Sequence, residues 1–256
     1  MSCSEQGSRG KAACVDVEAT CRQLAAELIG ARSHEIAFVA STARGLDAVH
    51  SSLSTGNPEI VFRDAEFPTT TFAAVRLGKR GGYRRVVRGR GGEMPLERYE
   101  AQIDDRTKLV VANLVSYKMG YKIDVSPLVA MAHARDPLLF ADAIQGLGAV
   151  PVCCSETDFL CAGTFKWLLG SHGAAMLYVR EALARRLELS SVGYRSVVEI
   201  FPPEPFNFCE LQPTRDGTRR TRPITLRCSS LRTRSGFASR CICTTPGTTW
   251  RPSFTR

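Results

Sequence analysis

Short apolar runs alternate with helix-like segments along most of the chain, from about Ser33 to Glu188. Apolar runs bounded by polar or turn-forming positions predict strands, and apolar positions at helical spacing predict helices. The predicted strands are EIVFRD (59–64), a weaker YRRVVRG (83–89), TKLVVANLV (107–115), PLLFAD (137–142), TDFLCAG (157–163) and AAMLYVR (174–180). The predicted helices are TTFAAVRLGKRGG (70–82), MPLERYEAQI (94–103), DVSPLVAMAHAR (124–135) and EALARRLEL (181–189). This alternation predicts an α/β domain with a mostly parallel sheet, in which ligands bind beyond the carboxyl ends of the strands.

The composition is that of a globular protein without a membrane span. The 256 residues, of which 44% are hydrophobic, suffice for one substantial core or for a domain and a half. No apolar run approaches the ~20 residues of a membrane helix, and the first 20 residues lack the apolar core of a secretory signal. The ten cysteines form no CxxC pair and no Cys/His spacing suited to zinc. We therefore expect a cytoplasmic protein with reduced thiols, no metal and no membrane partner.

The net charge of +9 belongs entirely to the last 46 residues. Residues 211–256 contain ten of the 34 basic residues, all of them Arg, and one of the 25 acidic residues, Asp216. Arg, Thr and Ser fill 25 of these 46 positions, with neither a helical nor a strand period. One interpretation is a basic arm for nucleic acid. We favour the other, a disordered tail, because this composition cannot bury enough apolar surface to fold.

Lys166 lies in an apolar and glycine-rich stretch, where it is the only charged residue between Asp158 and Arg180. An ammonium group in such a stretch loses hydration, so it must be paired or used. The alternative is that its amine reaches water from the end of a strand. Asp142 follows four apolar residues at the carboxyl end of a predicted strand, and Gln145 comes about one turn later. Taken alone, such a carboxylate is more often a helix cap or a loop residue than a site residue.

The lysine and the carboxylate have a joint chemical meaning. Pyridoxal phosphate needs a lysine amine for its Schiff base and a carboxylate that keeps its pyridine nitrogen protonated. The segments DAIQGLGAVPV (142–152) and KWLLG (166–170) resemble the class V aminotransferases, a family of pyridoxal-phosphate enzymes that includes cysteine desulfurases, isopenicillin N epimerase-like proteins and kynureninases. The resemblance runs from about Cys21 to about Leu211. It implies the large domain of a fold-type I pyridoxal-phosphate transferase, a three-layer α/β/α domain with a mostly parallel sheet.

The resemblance also implies roles for the residues of these two segments. Lys166 would be the Schiff-base lysine, Asp142 would pair with the pyridine nitrogen, and Gln145 would hydrogen-bond the phenolic oxygen of the ring. Phe67, in DAEFPTTTF (64–72), stands where desulfurases often have a His that stacks on the cofactor. Its ring could stack in the same way, and the alternative is a core phenylalanine.

The family binds the cofactor phosphate at a turn that corresponds to residues 41–43. The segment FVASTARGLDAVHSSL (38–53) predicts a strand, a turn of small residues and a helix. Ser41, Thr42 and Ala43 would present backbone N–H groups and hydroxyls at the start of this helix, where anions bind well. By itself, such a turn is usually an N-cap. Arg44 occupies a position that is usually Glu in the family.

Three further positions depart from the family pattern. Phe165 replaces a His that often precedes the lysine, and Gly163 replaces a Ser that often reaches the phosphate. Thr164 could compensate with its hydroxyl. Tyr117 stands where desulfurases have an Asn that helps to hold cofactor and substrate, so we assign it to the substrate side of the site. These changes favour the epimerase-like branch and leave the substrate open.

The sequence divides into an amino-terminal segment whose structure it does not determine (1–20), a cofactor-binding large domain (21–210) and the tail (211–256). We expect chemistry at the α-carbon of an amino acid: transamination, epimerisation, or elimination with sulfur removal. Intact relatives imply a homodimer. In the family a small domain follows and supplies an Arg for the substrate carboxylate, and the sequence shows no such domain. The alternative is therefore an inactive cofactor-binding fragment that acts by binding or dimerisation.

The tail has a further interpretation as a shifted reading frame that begins near Gln212. Thr221–Thr225, TRPIT, can be encoded by ACA CGC CCA ATT ACC. Two bases downstream, the same bases read ACG CCC AAT TAC, which is Thr-Pro-Asn-Tyr. That tetrapeptide resembles the segment that opens the small domain in the family. The hypothesis predicts a tail that is disordered and a chain with poor turnover.

Overall fold

A computed structural model of the chain describes residues 11–53, 59–78, 84–88, 96–184 and 186–187. The α-helices are α1 (Lys11–Ile29), α2 (Thr42–Ser52), α3 (Pro68–Gly78), α4 (Leu96–Glu100), α5 (Ser126–His133) and α6 (Glu181–Ala184). The strands are β1 (Ile36–Val39), β2 (Glu59–Arg63), β3 (Arg84–Val87), β4 (Thr107–Asn113), β5 (Leu138–Asp142), β6 (Phe159–Gly163) and β7 (Ala175–Val179). Every predicted strand contains one of these strands. The helix predicted for residues 181–189 is shorter in the structure, because α6 ends at Ala184 and Arg186 and Leu187 are not helical. Residue 185, the last two positions of that prediction and the whole tail lie outside the described residues.

The strands form one sheet in the order β1-β7-β6-β5-β4-β2-β3. Strands β2, β3, β4, β5 and β6 pair in parallel, and β7 runs antiparallel to both of its neighbours, β1 and β6. The prediction of a mostly parallel sheet is confirmed. Strands β6 and β7 are buried along their whole length, and β5 is buried at all but its first residue, as helices covering both faces of a sheet require.

Two hydrophobic clusters lie on opposite faces of the sheet. One joins Phe140 of β5 to residues of α2, α3 and α6, and the other joins its neighbour Leu139 to residues of α1, α4 and α5. Successive side chains of a strand point to opposite faces, so the two clusters are separate layers of packing. The predicted three-layer α/β/α arrangement is confirmed.

The amino ends of the central strands are connected by a buried carboxylate. Asp158 accepts hydrogen bonds from the backbone N–H of Leu139 at 2.8 Å and from His133 Nε2 at 2.8 Å. Its other oxygen lies 3.2 Å from Arg180 Nη1. These contacts join β5, β6, β7 and α5 at the edge opposite to the carboxyl ends, and they leave the carboxyl edge for ligand chemistry.

The described chain begins with a helix in a region whose structure the sequence did not determine. Helix α1 begins at Lys11 and crosses the expected domain boundary at residue 20. The compact unit that contains the sheet begins at Thr20, close to that boundary. Within this unit, Arg22 is buried and its guanidinium donates to the carbonyl of Ile36 and lies over the ring of Phe38, 5.5 Å from its centroid. These contacts attach α1 to β1.

Candidate functional site

Asp142 is the last residue of β5 and lies at the carboxyl edge of the sheet. In the register of the sheet it pairs with Asn113 of β4 and Cys161 of β6. Its side chain is buried, and its Oδ1 accepts a hydrogen bond from the backbone N–H of Ile144 at 3.0 Å. Burial raises the pKa of the Asp142 carboxyl to about 6, although the Ile144 N–H lowers it in part. Near pH 7 the site therefore contains a charged carboxylate that is poorly compensated by the described residues.

Glu66 is a second buried carboxyl near this edge that the sequence interpretation missed. It follows β2 and is only 4% exposed. Burial raises its pKa to about 8; a hydrogen bond from the backbone N–H of Asn113 lowers it, and the charge of Asp142 raises it. Because Asp142 ionises first, Glu66 stays protonated near pH 7. Its position after a buried strand, like that of Asp142, is the sequence signal that could have identified it.

Lys166 follows β6, the strand next to β5, and lies at the same carboxyl edge as Asp142. Its side chain is exposed, and its Nζ lies 5.5 Å from the centroid of the Phe165 ring. The expectation of a dehydrated amine therefore differs from the structure, because no described residue covers Lys166. The structure of the chain without cofactor or partner has the alternative arrangement, in which the Lys166 amine reaches water.

The loops that follow Asp142 and Lys166 pack directly against each other. A Cβ at Gly148, which has a φ of +94°, would lie 2.7 Å from the carbonyl oxygen of Trp167. The indole Nε1 of Trp167 donates to Oε1 of Gln145 at 3.3 Å. The two motifs that carried the resemblance are thus in contact in space, and Gln145 lies beside the lysine loop as expected.

The hydroxyl of Thr164 is engaged with the backbone of its own loop. Its Oγ1 lies 2.9 Å from the carbonyl oxygen of Ser171 and 3.0 Å from that of Ala174. A hydroxyl has one proton to donate, so the proton that would bind a phosphate is used within the loop. Gly163 is closely covered as well, because a Cβ there would lie 3.1 Å from both Ile144 and Phe165. The replacement of Ser by Gly at 163 accommodates the Phe at 165.

The amino terminus of α2 has the form that the sequence predicted. Ser41 is the N-cap, and its hydroxyl accepts from the backbone N–H of Arg44 at 3.2 Å. The backbone N–H groups of Thr42 and Ala43 have no partner within the helix. The capping interpretation is therefore correct for Ser41, and it leaves the first N–H groups of the helix available to an anion.

The first turn of α2 lies very close to β6. A Cβ at Gly45 would approach the Sγ of Cys161 to 2.5 Å, so only glycine permits this approach. The buried hydroxyl of Thr42 lies beside the same thiol and meets no oxygen or nitrogen among the described residues. Burial raises the pKa of the Cys161 thiol, and the charge of Asp142 raises it further. This packing brings the predicted phosphate-binding turn next to the strand that leads to Lys166.

Phe67 and Tyr117, which the sequence assigned to different parts of the site, are in contact. Their rings meet edge to face, with centroids 5.2 Å apart and planes at 82°. Phe67 is 43% exposed, so the alternative of a core phenylalanine is wrong. The ammonium of Lys118 lies 5.7 Å from the centroid of the Tyr117 ring. These loops follow β2 and β4, and they place an aromatic pair at the carboxyl edge.

Solved structures share this fold, and one of them contains a PLP cofactor. The apo cysteine desulfurase of Thermococcus onnurineus NA1 aligns over 77% of this chain and 50% of its own, with a TM-score of 0.69 and 25% identity. A C-DES mutant with glycine covalently linked to the PLP cofactor aligns over 77% of this chain and 55% of its own, with a TM-score of 0.70 and 20% identity. The fold is therefore that of the large domain in these proteins.

The chain belongs to the class-V aminotransferase family, whose model matches residues 2–219. It is 38% identical over 166 residues to the uncharacterized aminotransferase YcbU of Bacillus subtilis and 33% identical over 173 residues to a cysteine desulfurase of Rhodobacter capsulatus, in each case over 64% of this chain and 44% of the relative. A kynureninase of Deinococcus radiodurans is 29% identical over 200 residues, which is 76% of this chain and 46% of the relative. The chain thus spans about half the length of the curated relatives it matches.

Pyridoxal phosphate is the cofactor that this family membership indicates, and the residues present fit it. The buried carboxylate of Asp142 suits a protonated ring nitrogen. The buried hydroxyl of Thr42 at a helix amino terminus suits a phosphate. No helix in the described part of the chain is long and apolar enough to cross a membrane. No group of three His, Cys, Asp or Glu side chains among the described residues could hold a metal.

Proposed function

We propose that this chain is the cofactor-binding part of a pyridoxal-phosphate-dependent enzyme that acts at the α-carbon of an amino acid. The observation that carries the proposal is the contact between the loops after Asp142 and Lys166 at one carboxyl edge, with Gly148 against the Trp167 carbonyl. When bound, the cofactor supplies an electron sink for bonds at the α-carbon. Transamination, epimerisation and sulfur removal all use this chemistry, and the departures at Tyr117 and Phe165 favour the epimerase-like branch.

Asp142 would hold the pyridine nitrogen in its protonated state. Its carboxylate is buried and receives one backbone hydrogen bond, so a positive charge beside it is strongly favoured. A protonated Glu66 adds no second charge, which leaves one negative charge to match one pyridinium. The arrangement supports an assignment of Asp142 to the electronics of the cofactor.

The start of α2 would bind the phosphate. The N–H groups of Thr42 and Ala43 point out of the helix, and the helix dipole favours an anion there. The Ser41 hydroxyl accepts from Arg44 N and can still donate its own proton. Thr164 would contribute only if its proton left the Ser171 or Ala174 carbonyl. Ser41, Thr42 and Ala43 are therefore the better-supported set.

Lys166 would form the covalent bond to the cofactor, and Gln145 would donate to its phenolic oxygen. Phe67 would present a ring face to the cofactor, with Tyr117 packed against its edge and turned towards the substrate. The exposed position of Lys166 lets its amine move to the cofactor at the cost of only its contact with the Phe165 ring among the described residues. In the family context we also propose a cytoplasmic homodimer.

A second candidate function is cofactor binding without turnover, in which the chain acts by binding or by dimerisation. One observation favours it: Lys166 is exposed in the described part of the chain. When the lysine is exposed, water reaches its covalent bond to the cofactor and can hydrolyse it. An exposed site also does not exclude side reactions with water. Measured turnover of an amino acid would decide between the two functions.

The test of cofactor attachment is reduction with borohydride after addition of pyridoxal phosphate, followed by peptide mass mapping. We expect a pyridoxyl group on Lys166 and its loss in Lys166→Ala. Lys118→Ala is the matched control, because Lys118 is also exposed at the carboxyl edge and follows β4, which lies two strands from β6. A label that persists in Lys166→Ala, or its absence from folded protein with cofactor in excess, would contradict the proposal.

The test of Asp142 is the substitution Asp142→Asn. We expect the variant to retain the covalent bond and to exchange α-protons of bound amino acids much more slowly, because an amide cannot hold the pyridine nitrogen protonated. We also expect cofactor affinity in the unsubstituted chain to fall as pH decreases through about 6, where Asp142 takes up its proton. The cofactor phosphate titrates near the same pH, so the Asn variant isolates the contribution of Asp142. Equal exchange rates in the two proteins would show that the role is wrong.

A further inference from the structure

Trp167 directly follows Lys166, and burial does not explain its position. Its side chain is 55% exposed. Its indole N–H makes a side-chain hydrogen bond to Oε1 of Gln145 at 3.3 Å. An aromatic side chain that is half exposed contributes little to the core. The hydrogen bond to Gln145 is therefore the feature of Trp167 that needs an explanation.

The contact fixes the orientation of the Gln145 amide. The two ends of a glutamine amide look alike, but an indole N–H can only donate, so the group that faces it must be the carbonyl oxygen. The amide NH2 group then points away from Trp167. No hydrogen bond to a described residue uses this NH2 group.

The backbone around Trp167 is held as firmly as its side chain. A Cβ at Gly148 would lie 2.7 Å from the Trp167 carbonyl oxygen and 3.2 Å from the Leu168 side chain. The residue after the lysine is therefore packed against the segment that carries Gln145 and Asp142. Such double attachment restricts how far the indole can move relative to the amide.

We propose that Trp167 is a positioning residue that orients the Gln145 amide, so that its NH2 group donates to the phenolic oxygen of pyridoxal phosphate. This inference rests on the proposed function. A donor at that oxygen stabilises its more negative, deprotonated state. An amide with the opposite orientation would present its carbonyl oxygen and do the reverse. Trp167 would thus set the protonation state of the bound cofactor without touching it.

The hydrogen bond itself is tested in the full-length chain without cofactor. The chain has two tryptophans, so its indole N–H region in a ¹⁵N–¹H spectrum contains two peaks, and Trp250→Phe assigns the peak of Trp167. We expect Gln145→Ala to shift the Trp167 peak upfield and to speed its exchange with water. Gln23→Ala, which removes a glutamine on α1 bonded to Glu27, is the control and should leave the peak unchanged.

The positioning role is tested by the pH at which the visible band of the bound cofactor changes. Trp167→Phe keeps the ring and removes the donor, so we expect that transition to rise by about one pH unit, the size of one hydrogen bond to a charged oxygen. Gln145→Glu should raise it too while keeping the Trp167 peak in its bonded position, because a carboxylate accepts from Trp167 but cannot donate.

Each outcome is decisive. An unchanged Trp167 peak in Gln145→Ala overturns the inference, whatever the cofactor does. The second outcome combines a Trp167 peak that shifts in Gln145→Ala with a cofactor titration that is the same in Trp167→Phe as in the unsubstituted chain. It would show that the hydrogen bond is only structural, and it also overturns the inference. If the unsubstituted chain develops no band with pyridoxal phosphate, the proposed function fails, and this inference fails with it.

Discussion

At the scale of single residues, the protonated Glu66 gives the folded chain a distinctive dependence of stability on pH. Burial raises the Glu66 pKa from its ordinary 4.5 to about 8. At pH values between these two pKa values, Glu66 is therefore protonated in the folded state and ionised in the unfolded state. The free energy of unfolding is highest below the unfolded pKa and falls as pH rises towards the folded pKa.

The substitution Glu66→Gln should remove this dependence. The amide has nearly the same shape, stays neutral and can still accept from the backbone N–H of Asn113. We expect the variant to be more stable than the unsubstituted chain at pH 7 by about 3 kcal/mol, and equally stable near pH 4. Chemical denaturation at several pH values measures the difference.

Glu97→Gln is the control for this prediction, because Glu97 is exposed on α4 and the substitution changes the net charge in the same way. An equal gain in stability at pH 7 in both variants would indicate a general charge effect and not a buried acid. A loss of stability in Glu66→Gln across the whole pH range would show that Glu66 is ionised and paired in the folded state.

At the scale of elements, the contact between the loops after β5 and β6 depends on one glycine. Gly148 has a φ of +94°, and a Cβ there would lie 2.7 Å from the Trp167 carbonyl oxygen. Gly148→Ala therefore introduces both backbone strain and a collision with the lysine loop. We expect a loss of about 2–4 kcal/mol of stability and weaker pyridoxal phosphate binding, measured by thermal unfolding and by titration.

Gly173→Ala separates the two effects. Gly173 also has a positive φ, +88°, but a Cβ there meets no atom within 4 Å. Gly173→Ala should therefore lose only about 1 kcal/mol of stability, from backbone strain, and should bind the cofactor as the unsubstituted chain does. If Gly148→Ala behaves like Gly173→Ala in both measurements, the packing of the two loops is not needed for the site.

At the scale of the whole molecule, the described strands and core clusters all precede the basic tail. All seven strands lie within residues 36–179, and the two core clusters end at Leu187. A chain that ends at residue 210 should therefore keep its thermal midpoint to within about 2 °C. Any binding to duplex DNA at low salt should be lost with the tail, because the remaining residues carry equal numbers of acidic and basic groups.

The origin of the tail is settled by the transcript. The family match extends to residue 219, a few residues past the position near Gln212 where we place the frame shift. Sequencing across codons 205–225 should reveal a slip of the frame that restores the family pattern downstream. An uninterrupted frame in which no single-base slip restores the pattern would refute the hypothesis.

The sequence by itself determined the alternation of strands and helices from β1 to α6, the mostly parallel sheet and the edge where Asp142 and Lys166 lie. These features follow from apolar periodicity, which is local, and from the rule that parallel strands share a carboxyl edge. The N-cap at Ser41 is an equally local signal, and the structure contains it.

Only the tertiary structure decided how the edge is built. Sequence could not show that Glu66 and Asp142 interact, that Phe67 meets Tyr117, or that Trp167 donates to Gln145. Each of these pairs joins loops that follow different strands, so the contact depends on sheet order and register and not on spacing along the chain. The protonation of Glu66 and the exposure of Lys166 likewise depend on what the rest of the fold covers, because the cost of a charge is set by its surroundings and not by its neighbours in sequence.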